Sequence, residues 1–430
     1  MTNMDKFTKE WGLAADADRL PAYAADVEAE MRRGLRGDKG TLQMLPTYLD
    51  PDRIAKAVPG GASSVVIDAG GTNLRIAAVE LGGAAPVIRS YEKYRTPGYG
   101  RRVSAEEFFD QIADRLAPVL DRSDKIGFCF SYPAEILPNR DARILRFTKE
   151  INVDGAAGTV IGDALRDALK AKGLPHEKRV IVLNDTVAAQ LGAMADGGQG
   201  SHAGFILGTG VNASYTEKNE NILKEGVICA EKGDTIMNME AGGYDGFPLS
   251  EADRRFIAAS EDPEKQHFEK MVSGAYQCGA LLEWIRFAAE KGCFSGEFRG
   301  RLETLGEIPA GEADRFYLSP ENEGVLSGLC AREQDAGSLL RLVEAFVDRA
   351  AFMTAAVLAG VLTRLGDAAG SPENPARISA EGSVFYNARL MRQRIDAYMA
   401  QAAARMGLHS TFVKTEQATL LGTAVAALIN

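Results

Sequence analysis

The 430-residue chain lacks the features that most quickly assign a function. Its five cysteines (Cys129, Cys229, Cys278, Cys293, Cys330) are scattered, none forms a Cys-x-x-Cys pair, and only four histidines accompany them. That pattern speaks against a zinc site or a disulfide framework and reads as reduced thiols in a cytoplasmic protein. The start, Met1-Thr-Asn-Met-Asp-Lys6, has no apolar core, so no signal peptide is expected. The most apolar run, 350–362, is 13 residues long. A bilayer span needs about 20, so the run reads as a buried helix. An excess of positive charge is also missing, since 49 Lys and Arg against 59 Asp and Glu leave a net charge of −10. General affinity for nucleic acid or an anionic membrane is thereby disfavoured, although a local basic pocket for an anion is not. There is no Gly-Lys-Ser/Thr phosphate loop, no Gly-x-Gly-x-x-Gly turn opening a helix, and no low-complexity segment.

What is present is organised around Ser64-Val-Val-Ile-Asp-Ala-Gly-Gly-Thr-Asn-Leu-Arg75 and the run that follows it. A β-branched strand ends in Asp68, two glycines follow, then Thr72, Asn73 and a second strand. Such a turn can aim backbone N–H groups at a phosphate beside a carboxylate, or it can simply be a hairpin turn. Length alone favours two domains. Composition, at 46% hydrophobic and 25% charged residues, is ordinary for a globular protein.

In chain order, residues 4–35 read as two amphipathic helical pieces, with Pro21 starting the second and Gly34 and Gly37 ending it. Leu42–Leu49 with Pro51, Pro59, Gly60 and Gly61 forms an ordered connector, with a domain boundary near 58–62. Strands are expected at 64–69, 74–81, 86–94 and 125–131, with a helix from the Ser104 capping box to about 120. Three antiparallel strands, a crossover helix and a further strand are the opening of a ribonuclease-H-like unit. A helix within 154–173, a buried strand at 179–185 and a helix at 186–195 follow. Residues 202–216 then repeat the opening grammar: apolar strand, Gly208-Thr-Gly210, Asn212, strand. The repetition suggests a duplicated α/β fold with a cleft between halves. Long helices are expected at 268–289, 338–365, 390–406 and 418–430, and a strand from 375 runs into a third glycine turn at Glu381–Ser383.

Three such turns at strand ends suit a shared polyphosphate, their N–H groups and Thr hydroxyls meeting phosphate oxygens. Without a loop lysine, Mg²⁺ would neutralise much of the charge, held by Asp68 through water. Asn184-Asp185 lies where open α/β sheets place ligands, and Asp185 also reads as a helix cap. Glu240 and Glu269 read as solvated glutamates or as hydroxyl ligands, and a carboxylate pair would also suit a glycosidase. Lys149 is by default a surface lysine. The residues together point to an ATP-dependent phosphotransferase or ATPase acting on a polyol, with Asp185 nearest the acceptor.

The chain resembles the hexokinase family, the eukaryotic-type hexokinases and glucokinases of the sugar kinase/actin/Hsp70 superfamily, from about residue 40 onward. The resemblance rests on Met44-Leu-Pro-Thr-Tyr48, Asp68-Ala-Gly-Gly-Thr-Asn-Leu-Arg75, Phe130-Ser-Tyr-Pro133, Thr148-Lys149, Leu183-Asn-Asp-Thr-Val187, Gly208-Thr-Gly-Val-Asn-Ala213, Glu269-Lys-Met-Val-Ser-Gly-Ala-Tyr276 and Glu381-Gly-Ser-Val384. It implies two ribonuclease-H-like domains with mixed sheets flanked by helices: residues 62–185 plus 413–430, and 1–61 plus 186–412. It implies Asp185 as the base at the sugar 6-hydroxyl. Ser131, Thr148, Lys149, Asn184, Asn212, Glu240 and Glu269 would bind sugar, with Gln266 a weaker candidate. Asp68, Gly70, Gly71, Thr72, Asn73, Arg75, Gly208, Thr209, Gly210, Gly382 and Ser383 would surround Mg-ATP. Three departures stand out: Glu150-Ile151 after Thr-Lys in place of Gly and an aromatic, Glu240-Ala-Gly-Gly-Tyr244 in place of Glu-Trp-Gly, and Phe385-Tyr-Asn387 where a lysine-bearing run is usual. Glucose is the expected hexose. An N-acetylhexosamine kinase and a weakly catalytic sugar sensor are the other readings.

Overall fold

The computed structural model describes residues 2–53, 62–82, 86–147, 151–195, 202–227, 232–366 and 370–428. The candidates Thr148 and Lys149, the departure at Glu150, Cys229 and most of the 58–62 boundary lie outside the described residues.

Two mixed sheets carry the fold. Their strands are β1 (Leu45–Pro46), β2 (Ala62–Ala69), β3 (Asn73–Leu81), β4 (Val87–Arg95), β5 (Lys125–Phe130), β6 (Arg179–Leu183), β7 (His202–Leu207), β8 (Val211–Lys218), β9 (Asp234–Asn238), β10 (Ala376–Glu381) and β11 (Ser410–Val413). The first sheet runs β6-β5-β2-β3-β4, and the second runs β1-β9-β8-β7-β10-β11. In the first, β2, β3 and β4 are antiparallel and β5 and β6 join parallel to β2. In the second, β7, β8 and β9 are antiparallel and β10 and β11 join parallel to β7. The order is the same in both, with β1 added at one edge, so the repeated hairpin grammar reflects a repeated architecture.

The helices that position the cleft are α1 (Leu20–Arg36), α2 (Ala105–Leu116), α3 (Ile161–Ala171), α4 (Asp185–Ala195), α5 (His267–Val272), α6 (Gly274–Glu290), α7 (Glu333–Leu365), α8 (Arg389–Met406) and α9 (Ala418–Leu428). The β2 run is continuously apolar because both of its faces are covered. Val65 and Ile67 join Phe108, Ile112 and Leu165 on one side, while Val66 on the other joins Val187, Leu191, Leu420 and Val425. The second sheet packs under α1, α6, α7 and α8 in a separate, larger core. The 33-residue α7 is long and apolar enough to cross a membrane by length and composition, but 89% of its most apolar window is buried inside the protein.

Several boundaries differ from those the sequence suggests. The 268–289 helix is two helices, because Ser273 adopts φ −89°, ψ 157° between α5 and α6. Gly34 does not end α1. It lies inside the helix, where a Cβ would come 2.5 Å from the Leu42 carbonyl oxygen, and the left-handed Gly37 alone terminates it. The helix after Ser104 stops at Leu116, with a separate 3₁₀ turn at Leu120–Arg122. Asp185 begins α4 rather than ending the strand.

Candidate functional site

The first glycine turn joins β2 to β3 and is fixed from outside. The Gly70 N–H donates to the Asn73 carbonyl at 3.0 Å. The Gly70 carbonyl accepts from Thr96 Oγ1 at 2.9 Å and from the Tyr132 hydroxyl at 2.6 Å. Asp68 sits opposite Arg75 in the β2–β3 register, and Arg75 Nη1 lies 3.2 Å from Asp68 Oδ2. Thr419 Oγ1, from α9, donates to the same oxygen at 3.1 Å. Burial pushes the Asp68 carboxyl up, against the pull of Arg75 and Thr419.

The second and third turns touch each other. Gly382 has φ 109°, and a Cβ there would lie 2.2 Å from the Leu207 carbonyl oxygen and 2.8 Å from the Gly208 nitrogen. Only glycine meets both demands. The Gly208 N–H donates to the Gly210 carbonyl at 2.9 Å, while the Gly208 and Thr209 carbonyls accept from Gly274 and Ala275 at 2.8 and 3.1 Å. These leading N–H groups of α6 are therefore spent on the turn. Thr72, Thr209 and Ser383 remain exposed, one hydroxyl at each turn. The charges of Arg75 and Lys414 both reach Glu381, beside the third turn, so the turns converge on one region.

On the other side of Asp185 the side chains form a relay. Asn184 Oδ1 accepts from the Thr186 N–H at 2.9 Å, so Asn184, not Asp185, caps α4. Asn212 Nδ2 donates to Asn184 Oδ1 at 3.4 Å and to Asn238 Oδ1 at 2.7 Å. Asn238 Nδ2 donates to Glu240 Oε1 at 2.8 Å. Asn212 Oδ1 accepts the Ala213 and Ala241 N–H groups at 2.8 and 3.1 Å. Glu240 is held in the left-handed region at φ 55°, and burial raises its carboxyl pKa, with Asp185 and Glu269 adding to the rise. Glu269, on α5, accepts the Val211 N–H through Oε2 at 3.0 Å. Gly210 lies against it, and a Cβ there would meet that oxygen at 2.6 Å and displace the carboxylate. Asp185 is partly exposed, and its charge bears on Asp68, Cys129 and Tyr132 on one side and on Glu240 on the other. Asp185 thus sits between the glycine turns and the amide–carboxylate relay. Ser131 follows β5, its N–H donating to the Ala69 carbonyl at 3.3 Å.

Among the described residues there is no cluster of three or more His, Cys, Asp or Glu able to cage a metal. A single buried carboxylate, Asp68, beside exposed hydroxyls matches the needs of Mg²⁺, which keeps most of its waters and shares phosphate oxygens. The residues fit that ion. Three positions that sequence reasoning did not select are prominent: Asn238, which links Asn212 to Glu240; Thr419, which holds Asp68; and Tyr132, which holds Gly70. Asn238 carried a signal, two residues before Glu240 at a strand end. Thr419 lies far along the chain and carried none.

Two sheets of identical strand order, with glycine turns from both facing one cleft, define the two-domain actin-like ATPase fold. Likenesses to solved structures carry the same fold. Hexokinase from Schistosoma mansoni complexed with glucose superposes with a TM-score of 0.78 at 23% identity, covering 99% of this chain and 98% of that one. A second hexokinase crystal structure gives 0.77 at 20% identity, covering 99% of each. Two family models, both described as hexokinase, match residues 4–195 and 202–429. The chain belongs to the hexokinase family. It is 29% identical to rat hexokinase-3 over 86% of this chain and 41% of that protein. It is 28% identical to rice hexokinase-2 over 89% of this chain and 82% of that protein. The chain spans less than half the length of the mammalian relatives it matches and most of the rice one.

Proposed function

We propose that the chain is an ATP-dependent hexokinase that transfers the γ-phosphoryl group to the 6-hydroxyl of a hexose, glucose first among them, in the cytoplasm. The observation that carries this reading is the position of Asp185 between three converging glycine turns and the Asn184–Asn212–Asn238–Glu240 relay. Amides and carboxylates in one relay suit a polyol, whose hydroxyls both donate and accept. Glu240 and Glu269 accept sugar hydroxyls, and Asn184 and Asn212 hold the sugar between them. Ser131 would serve the sugar from the other lobe, and the family resemblance assigns Thr148 and Lys149, outside the described residues, to the same task. Thr72, Thr209 and Ser383 with the turn N–H groups take phosphate oxygens, and Arg75 adds charge.

Asp185 accepts the 6-hydroxyl proton as the oxygen attacks phosphorus and ADP leaves. The transition state is loose, so positioning and charge neutralisation outweigh early proton removal. Asp68 would hold Mg²⁺ through water, and the ion would supply charge neutralisation for the phosphates. Closure of residues 62–185 with 413–428 on the remainder excludes water from the transferring group.

The relative solved with glucose supports glucose as the first hexose to try. Gly242 and Gly243 pack closely beside Glu240, a Cβ at each meeting Gln266 Oε1 at 2.4 Å and the Thr41 carbonyl oxygen at 2.6 Å. A coupled assay with glucose, mannose, fructose and N-acetylglucosamine plus Mg-ATP tests the reading, and absence of ADP release with every hexose would sink it. Asp185→Ala should lower kcat by orders of magnitude while hexose still binds. Substantial turnover in that variant would remove Asp185 from the mechanism, and hexose binding without turnover in the native chain would favour a sensor.

A further inference from the structure

We propose that Arg146 and Asp262 form a clasp across the cleft that positions the two halves of the sugar site. Arg146 Nη1 lies 3.2 Å from Asp262 Oδ2. Arg146 follows a hairpin whose Ala142 and Ile144 belong to the core of the first sheet. Asp262 sits between the Glu251–Ala259 helix and α5, whose Phe268 belongs to the core of the second sheet. Among the described residues, this is the one ion pair joining residues 62–183 to residues 186–412.

The Asp262 side is built to hold its place. Asp262 has φ 49° and Gln266 has φ 58°, two left-handed non-glycine residues within one rim loop. Such backbone persists only where its surroundings over-determine it. The fixing contact comes from below, where the buried Lys270 Nζ donates to the Asp262 carbonyl at 2.6 Å. Lys270 is the neighbour of Glu269 on α5, so the loop bearing Asp262 and the carboxylate of Glu269 are held by one short helix. Arg146 in turn stands two residues before Thr148. Its charge also bears on Glu240 and Tyr276, on the sugar side of the cleft, while its side chain stays 43% exposed. A bond between Arg146 and Asp262 therefore sets the distance between sugar ligands carried by opposite lobes. Both are positioning residues, acting through the ligands beside them.

The inference rests on the sugar-kinase reading, and two kinds of measurement separate them. Arg146→Gln and Asp262→Asn should each raise the hexose KM about two- to fivefold, the range for a partly exposed pair, with the ATP KM unchanged. Asn tolerates the left-handed region, so Asp262→Asn removes charge without adding backbone strain. The double variant should be no worse than either single, Arg146→Lys should recover part of the loss, and raising the salt should weaken hexose binding in the native chain but not in the variants. Additive effects, or a native hexose KM in Arg146→Gln, would overturn the clasp. Small-angle scattering without sugar at low salt gives a readout independent of turnover, because Arg146→Gln should show a larger radius of gyration than the native chain. Equal radii refute the clasp. If the native chain turns over no hexose, the kinase reading falls and the scattering alone decides the clasp.

Discussion

Glu240 combines a left-handed backbone, partial burial and a carboxyl whose pKa desolvation has raised above its usual 4.5. The folded chain therefore holds that proton to higher pH than the unfolded chain does. Its favourable contribution is complete below about 4.5 and is lost as pH rises through the elevated folded value. Glu240→Gln keeps the acceptor for Asn238 without the charge. Melting temperatures of the two proteins should be close in acid, with the variant gaining on the native chain as pH climbs from 4.5. Its hexose KM should rise roughly tenfold or more, because a charged acceptor for sugar hydroxyls is gone. A variant that lost ground at neutral pH would show that Glu240 stabilises the fold. At this scale the sequence was informative where chemistry clusters locally: Asp68, Asn73 and Arg75 sit within one hairpin. It was silent where partners are distant. Thr419 reaches Asp68 across 351 positions and Arg146 meets Asp262 across 116, and neither pairing leaves a local pattern.

Among elements, the crossing of α4 and α9 has the least slack. A Cβ at Gly422 would lie 1.8 Å from the Ala188 carbonyl oxygen, and one at Gly192 would lie 2.3 Å from that of Ala418. Gly422→Ala must push the helices apart, at a cost of about 1–3 kcal/mol or more. Because α4 begins with Asp185, the same shift displaces the candidate base. Denaturant unfolding should report the lost stability, and kcat should fall beyond what the folded fraction accounts for. Unchanged kcat per folded molecule would uncouple the crossing from the chemistry. The strands at 64–69 and 74–81 were legible because β-branched runs between glycine turns have few other fates. The split at Ser273 was not, since α5 and α6 together present a continuous helical pattern. What parts them is the pair of carbonyls from Gly208 and Thr209 that take the first N–H groups of α6.

Across the whole molecule, two large cores would allow two independent melts, were it not for a third. Leu49, Val66, Val79, Ile181, Leu183, Val187, Leu191, Ile236, Leu420 and Val425 form one apolar cluster drawn from the first sheet, β9 of the second, α4, α9 and the connector. Shared burial of this kind couples the halves, so calorimetry should record one transition. Hexose at a hundredfold excess over its Kd should move that whole transition, adding about 2.7 kcal/mol. Two separated transitions, with hexose shifting only one, would contradict the coupling. The duplicated plan could be inferred from two hairpins of similar grammar. The joint could not, because it is assembled from segments at both ends of the chain.

That assembly has a consequence for how the protein is made. Strands β2, β3, β5 and β6 leave the ribosome early, but the helix that covers their Val66 and Ile181 face is α9, which begins at Ala418, long after β6 ends at Leu183. At about 5–20 residues per second the nascent chain carries an uncovered apolar sheet for roughly ten seconds to a minute. During that interval the sheet is a substrate for chaperones and a seed for aggregation, so a sheet whose strands are made early waits on a helix made much later.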